Sequence, residues 1–196
     1  ADIDNSGGEG GDDPNRLVDN DQFFGRIQGD TKFLDGAFTQ TFGFSYADQS
    51  LSDNNDPDLM HLLDRQRSHY AGITKKVDLQ NNYVPAQGLT LTAGFESEVE
   101  QGSSTLAIES AFGPFESDFS PRSLTTNGYF GQAQYELTKD WTVVSGLRLD
   151  DNSVFGSRTT WKAGSSLQFP DAGTRLYSTV GTGFKAPSLF ELYSSY

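Results

Sequence analysis

Apolar and polar residues alternate at every second position along most of this chain. Near residues 89–100 one side of an extended chain is apolar and the other is polar. The apolar positions there are Leu89, Leu91, Ala93, Phe95 and Val99. Because successive side chains of a strand point to opposite faces, this period predicts strands with one apolar face. The pattern predicts an all-β chain of about eight strands, each of roughly 10–14 residues, longer than the common ~5–6.

The predicted strands are joined by connections that are alternately short and long. Short connections are expected at 34–36, 81–88, 137–140 and 170–173, and longer ones at 49–64, 101–122 and 151–157. Strands joined in this order form an antiparallel up-and-down meander. Long strands with this asymmetry of loops are typical of transmembrane β-barrels, whose strands cross the bilayer at a tilt.

Aromatic residues gather near the ends of the predicted strands, at Phe23, Phe33, Tyr135, Trp141, Phe169 and Phe184. Aromatic belts of this kind mark the two interfaces of a membrane. A soluble β-sandwich also alternates and also has aromatic residues at strand ends. Strand length and the asymmetry of the loops favour the barrel over the sandwich.

Composition excludes several classes of protein. The formal charge of −13 argues against a nucleic-acid partner, because phosphates require a basic surface. The chain has no cysteine, so disulfides and thiolate metal sites are unavailable. The sequence contains no run of about 18 apolar residues, which is what a transmembrane helix requires.

No residue pattern predicts an enzyme. A Gly-x-Ser-x-Gly nucleophile string is absent from the sequence. His61 and His69 are eight residues apart in a setting that does not suggest a zinc site. Glu96, Glu98 and Glu100 share one strand face, and a water-filled lumen would account for their charges without catalysis.

Residues 1–21 are predicted to be an acidic loop, and 22–196 the strand region. Within the loop, the spacing of oxygen-bearing side chains around Gly7 partly matches a calcium-binding loop. The candidate calcium ligands are Asp2, Asp4, Ser6 and Asp13. Asp13 stands where a bidentate Glu is usual, and no helical pattern flanks the loop. A solvated acidic loop is therefore the favoured interpretation, and calcium binding the alternative.

The most distinctive string of the chain follows the last predicted strand. Its positions are Gly181, Gly183, Phe184, Lys185, Ala186 and Pro187, within Gly-Thr-Gly-Phe-Lys-Ala-Pro. Glycine at alternate positions permits a close backbone approach, and the proline cannot continue a ladder of hydrogen bonds. The string therefore predicts a strand end that passes into a turn. It resembles the string found late in the barrel of TonB-dependent outer-membrane receptors, and the hairpin at 148–157 is similar to the one that precedes it there.

The resemblance implies a bacterial outer-membrane location and a barrel of roughly 22 strands with a plugged lumen. It implies that this chain is a partial barrel, with the plug that contacts TonB and the remaining strands elsewhere in a longer protein. The long loops are then expected outside the cell and the short turns in the periplasm. The implied activity is TonB-driven uptake of a large scarce solute, with cobalamin favoured and a ferric siderophore or haem as alternatives. A soluble β-rich binding module is the alternative class.

Three phenylalanines are candidate contacts for such a ligand. Phe112, Phe115 and Phe119 lie in the stretch predicted to be a long outer loop. Aromatic residues on polar loops are expected where a bulky ligand is held before entry. The alternative is that these rings pack within their own loop.

Overall fold

The computed structural model describes residues 15–59 and 62–193, which form one eight-stranded antiparallel sheet in sequence order. The strands are β1 (Leu17–Phe33), β2 (Phe38–Asn55), β3 (Arg65–Ala86), β4 (Leu89–Ser110), β5 (Gly113–Thr138), β6 (Trp141–Asn152), β7 (Gly156–Phe169) and β8 (Thr174–Gly181). Two 3-10 turns, Leu34–Gly36 and Pro170–Ala172, and one helix, α1 (Leu189–Tyr193), complete them. Within the described residues, no helix has the length and apolar character needed to cross a membrane.

The pairing register sorts the side chains of all eight strands onto two faces. Residues that are directly opposite in neighbouring strands share a face. One such row joins Gln28, Gly43, Asp78, Glu96 and Gly128 and continues into β6 and β7. The polar positions predicted from the sequence lie together on this face, which confirms the period-two analysis.

The opposite face is apolar and open. Ile27 of β1 is 76% exposed and Leu147 of β6 is 64% exposed. The only apolar side chain buried among the described residues is Leu124. A soluble sandwich would bury its apolar face against a second sheet, and the described residues form no second sheet. Within the described residues, the sheet therefore has no protein core of the kind that a soluble sandwich requires.

Aromatic rings border the apolar face at both ends. Phe33, Phe38 and Tyr83 form a row at the short-turn end, with ring centroids 6.0 and 6.4 Å apart. Phe23 and Tyr46 form a pair at the other end, with centroids 6.2 Å apart. The ten residue steps from Phe23 to Phe33 span roughly 33 Å of strand, which a tilt of about 45° reduces to ~23 Å. This height matches the apolar band of a transmembrane barrel, about 25 Å.

The strands extend further than the alternation predicts. β1 begins at Leu17, inside the stretch expected to be an acidic loop. The connection expected at 81–88 is mostly strand, since β3 continues to Ala86. The prediction of a long loop at 101–122 is wrong, because β4 and β5 continue through it and leave only residues 111–112 as a turn.

The missed hairpin has a physical explanation. Above the apolar band both faces of a strand are wet, so the contrast that reveals period two disappears. Pro121 also argued against a strand, but it lies in a bulge. Gly102 pairs with Arg122 and Ser104 pairs with Phe119, so two residues oppose Ser103 alone. A proline is tolerated at such a bulge because the ladder does not need its missing N–H there.

The two faces of β1 provide a direct test of this arrangement. We expect Ile27→Arg, at the middle of the apolar face, to destabilise the folded barrel by about 2–4 kcal/mol, the cost of a cation near the bilayer midplane. Gln28→Arg places the same charge on the polar face and is expected to be nearly neutral. The measurement is the fraction of full-length receptor that migrates as a folded, heat-modifiable species on electrophoresis. Equal loss of the folded species in both variants would contradict the assignment of Ile27 to the lipid-facing side and Gln28 to the polar side.

Candidate functional site

The polar face is the concave side of the sheet. Side chains crowd together there: an added Cβ at Gly128 would lie 2.6 Å from Arg148 Nη2, and one at Gly94 would meet the ring of Phe130. On the apolar face, the atom nearest to a Cβ at Gly131 of the inner strand β5 would be 4.0 Å away. Side chains converge on the inside of a curved sheet and diverge on the outside. The polar face is therefore the wall of the lumen and the candidate site for a solute.

An arginine on β1 reaches across a whole strand to its ion-pair partner. Arg26 donates from Nη1 and Nη2 to both carboxylate oxygens of Asp78 on β3, at 2.7 and 2.9 Å. Gly43 of the intervening β2 pairs with Asp78, and a side chain there would collide with the guanidinium. The glycine thus leaves the space in which a bidentate pair links the first and third strands.

The same arrangement recurs between β4 and β6. Arg148 pairs with Glu96 across Gly128 of β5, and also with Asp150 at 2.6 Å. Lys76 of β3 contacts the second oxygen of Glu96 at 2.8 Å. The concave wall therefore carries a connected charge network, and Glu96 is held between two cations from different strands.

The predicted signature string ends β8 and directs the chain onto the concave wall. Gly181 pairs with Lys162, and an added Cβ would lie 2.6 Å from the Trp161 carbonyl oxygen, so only glycine fits. The backbone N–H of Thr182 donates to that carbonyl at 2.9 Å. The Thr182 hydroxyl accepts from the backbone N–H of Trp161 at 3.0 Å. The next ring, Phe184, lies 5.5 Å from Phe155 between centroids. The strand end predicted from the sequence is confirmed.

The remaining signature residues build the start of α1. The Ser188 N–H donates to Glu191 at 2.8 Å, and the Ser188 hydroxyl accepts from the Glu191 N–H at 3.2 Å, which is a capping box. Lys185 adds an ion pair with Glu191 at 3.0 Å. The Ser188 N–H foremost, with Lys185 and the Ser188 hydroxyl, lowers the pKa of Glu191 to about 2. The contribution of this depressed pKa to stability is complete above the ordinary value of 4.5 and is lost as the pH falls toward 2.

Helix α1 packs on the upper part of the concave wall through its aromatic rings. Phe190 lies 6.3 Å from Tyr70 of β3, and Tyr193 lies 6.5 Å from Phe119 of β5, between ring centroids. The guanidinium of Arg122 lies 5.0 Å from the centre of the Tyr193 ring, a cation–π contact. A cleft of about 350 Å³ lies between α1 and strands β1–β5.

The three candidate ligand contacts do not share a loop. Phe112 is fully exposed in the turn of the β4–β5 hairpin, whereas Phe115 and Phe119 are strand residues of β5. Phe115 pairs with Ile108, and Phe119 pairs with Ser104, so both lie on the concave face. The idea that the rings pack within their own loop fails for Phe119, whose ring partner belongs to α1.

Most of the residues considered for metal binding lie outside the part of the chain that the structure describes. Asp2, Asp4, Ser6, Asp13 and His61 lie outside the described residues. His69 Nδ1 makes a 2.9 Å hydrogen bond with the Ser52 hydroxyl. Within residues 15–59 and 62–193, no group of three His, Cys, Asp or Glu side chains could hold a metal ion.

The sequence analysis missed Tyr70, Arg122 and Tyr193 as site residues. A signal existed for the helix, because Ser188 followed three residues later by Glu191 before apolar residues is a capping box. No local signal indicated Tyr70, since its role depends on the register between distant strands.

The charge network predicts an asymmetry between two glycines. We expect Gly128→Ala to displace Arg148 from Glu96 and to lower the free energy of unfolding by about 1 kcal/mol, a small value because the Arg148 side chain is partly exposed. Gly29→Ala, on the open face, is the matched control and is expected to have no such cost. The measurement is the denaturation midpoint of the full receptor in detergent. A larger loss in the control would contradict the network.

A family model described as the β-barrel of TonB-dependent receptor-like proteins matches residues 1–196. Among solved structures, the chain is similar to the RagAB peptide transporter, with 15% identity over 78% of this chain and 20% of that chain and a TM-score of 0.45. It is also similar to the RagAB peptide importer in its closed-closed state, with 15% identity over 85% of this chain and 23% of that chain and a TM-score of 0.49. The chain thus spans about a fifth of the length of these structures.

The family match covers the whole chain and agrees with the eight-stranded meander, its open apolar face and its polar concave face. The resemblance noted at the signature string is confirmed. The chain belongs to the TonB-dependent receptor-like β-barrel family, and its sheet is part of a barrel wall in the bacterial outer membrane.

Proposed function

We propose that this chain forms part of the wall of a receptor that imports a large, scarce solute through the outer membrane, driven by TonB. The observation that carries the proposal is that the two faces of the sheet differ. One face is apolar and exposed, and the opposite face carries several ion pairs. Such a sheet is stable only between lipid on one side and water or polar protein on the other. The family is one of transporters rather than enzymes.

Eight strands do not close a barrel here, because β1 and β8 each lack a partner on their outer edge among the described residues. We propose that these edges join further strands of a wall of roughly 22 strands, which would be wide enough to need a plug. In this proposal the plug contacts TonB, the apolar face contacts outer-membrane lipid, and the domain boundary near residue 21 moves back to the start of β1 at Leu17.

We place the end of the sheet that carries α1 outside the cell. That end holds the β4–β5 hairpin, which extends beyond the aromatic pair of Phe23 and Tyr46. The opposite end has only tight connections, such as residues 87–88 and 139–140. Short periplasmic turns and taller outer connections are the usual arrangement in this class of barrel.

For the solute we propose cobalamin first, with a ferric siderophore or haem as the alternatives. The preference rests on the resemblance around 148–193, since no side chain described here is specific for a corrin ring. Phe115 and Phe119 support a bulky ligand, because both lie on the concave face near the outer end. Phe112, exposed at the tip of the hairpin, is proposed as a first contact.

Binding to intact cells tests both the solute and the contact residues. We expect added cobalamin to bind cells that make the full receptor, and Phe119→Ala to weaken binding about tenfold, as for an aromatic hot spot. Phe42→Ala, on the lipid-facing side, is the control and is expected to bind normally. Tight binding of a ferric siderophore or haem without cobalamin binding would replace the first ligand. No binding of any of them, and no growth defect on deletion under iron or cobalamin limitation, would refute all three.

Calcium in the acidic loop remains a proposal for Asp2, Asp4, Ser6 and Asp13. Their oxygen ligands around a central glycine suit a hard cation. Titration calorimetry on the full receptor is expected to show calcium binding that Asp2→Ala and Asp4→Ala each weaken. Unchanged binding in both variants would remove the proposal.

A further inference from the structure

The described lining of the cleft beneath α1 carries negative charge only. Its floor consists of residues from β1 to β5, and α1 forms its roof through Leu189 and Phe190. Of the residues in this lining that the structure describes, only Glu100 of β4 carries a formal charge. Among the described residues, the lysines and arginines of the concave wall lie outside this lining.

The charged neighbour of Glu100 is Glu98, a like charge on the same face of β4. Glu96 and Glu98, four and two positions away on the same face of β4, both contact Lys76. Among the described residues, no lysine, arginine or histidine forms an ion pair with Glu100. A half-buried carboxylate without a cation is poorly compensated, and an external cation would supply what the wall does not.

Aromatic rings line the end of the cleft beyond Glu100, since Tyr70 and Phe119 both pair with Ser104, four residues further along β4. Tyr70, Phe119 and Phe190 all line the cleft, and the rings of Tyr70 and Phe190 are tilted by 56° with centroids 6.3 Å apart. A carboxylate in one part of the cleft and aromatic rings in another suit a ligand with a cationic group and an apolar body. The amides of Gln22 and Gln49 add neutral hydrogen-bonding groups on the same floor.

We propose that this cleft binds a ligand that carries an ammonium group beside an apolar body. The ammonium pairs with Glu100, and the apolar body packs against the aromatic rings under α1. A cleft of about 350 Å³ holds a group of modest size, so the ligand can be a whole small amine or one arm of a larger solute. This assignment rests on the proposed function, since it names the chemistry of a solute entering from the α1 end, and it disfavours solutes that present an anion there.

Two probes of opposite charge test the cleft in the full-length receptor purified in detergent. Phenylethylammonium and 3-phenylpropionate share a phenyl ring and similar length but carry opposite charges. We expect saturation-transfer NMR titrations to show about tenfold tighter binding of the ammonium probe. Glu100→Gln, which preserves shape, is expected to reduce that preference to less than twofold.

Glu136→Gln provides the matched control, because it removes the same charge from the concave face at the opposite end of the sheet. We expect it to leave the preference for the ammonium probe intact. Phe190→Ala is expected to weaken both probes, since it removes part of the roof. Equal binding of the two probes, absence of binding by either, or a preference that survives Glu100→Gln would each overturn the assignment.

The probe titration and the cellular assays test different claims, so either can fail while the other succeeds. A receptor that imports its solute but shows no charge preference in the cleft would overturn this assignment and leave the proposed function intact. A receptor that retains the Glu100-dependent preference, but whose deletion affects no uptake, would instead overturn the proposed transport.

Discussion

The continuous antiparallel register is the constraint on which the rest of this structure depends. Because side chains alternate with a period of two, a slip of one residue between two strands would move every side chain to the other face. The observed register instead holds Phe42, Leu79 and their neighbours on one surface and Asp78 and Glu96 on the other. Lipid on one side and water on the other penalise any slip, so the membrane itself enforces the pairing.

The charge network is a consequence of that register together with glycine. Gly43 and Gly128 stand in the rows where an arginine must pass over a strand to reach its carboxylate. Neither ion pair joins adjacent strands, so each pair ties three strands into one unit. The wall is therefore braced on its wet side by ion pairs that each span three strands.

The signature string has a structural role in this sheet. Gly181 permits close approach to β7, Thr182 completes the last hydrogen bonds, and Lys185 and Ser188 position Glu191 at the start of α1. These steps turn the chain from the barrel wall toward the lumen. The aromatic residues that follow become the roof of the cleft, so the string connects the scaffold with the region where we place ligand chemistry.

The sequence alone determined the number of strands, their order and the face of nearly every residue in the membrane band, because lipid and water create a contrast that alternation records. It also located the strand end at Gly181. It did not reveal the β4–β5 hairpin, where both faces are wet and the contrast vanishes. Tyr70 and Phe190 meet only because the segment after β8 returns to β3, and the space above Gly128 exists only once β4 and β6 lie on either side of it. Contacts between residues far apart in the chain depend on register, curvature and the path after β8, and only the tertiary structure decides these.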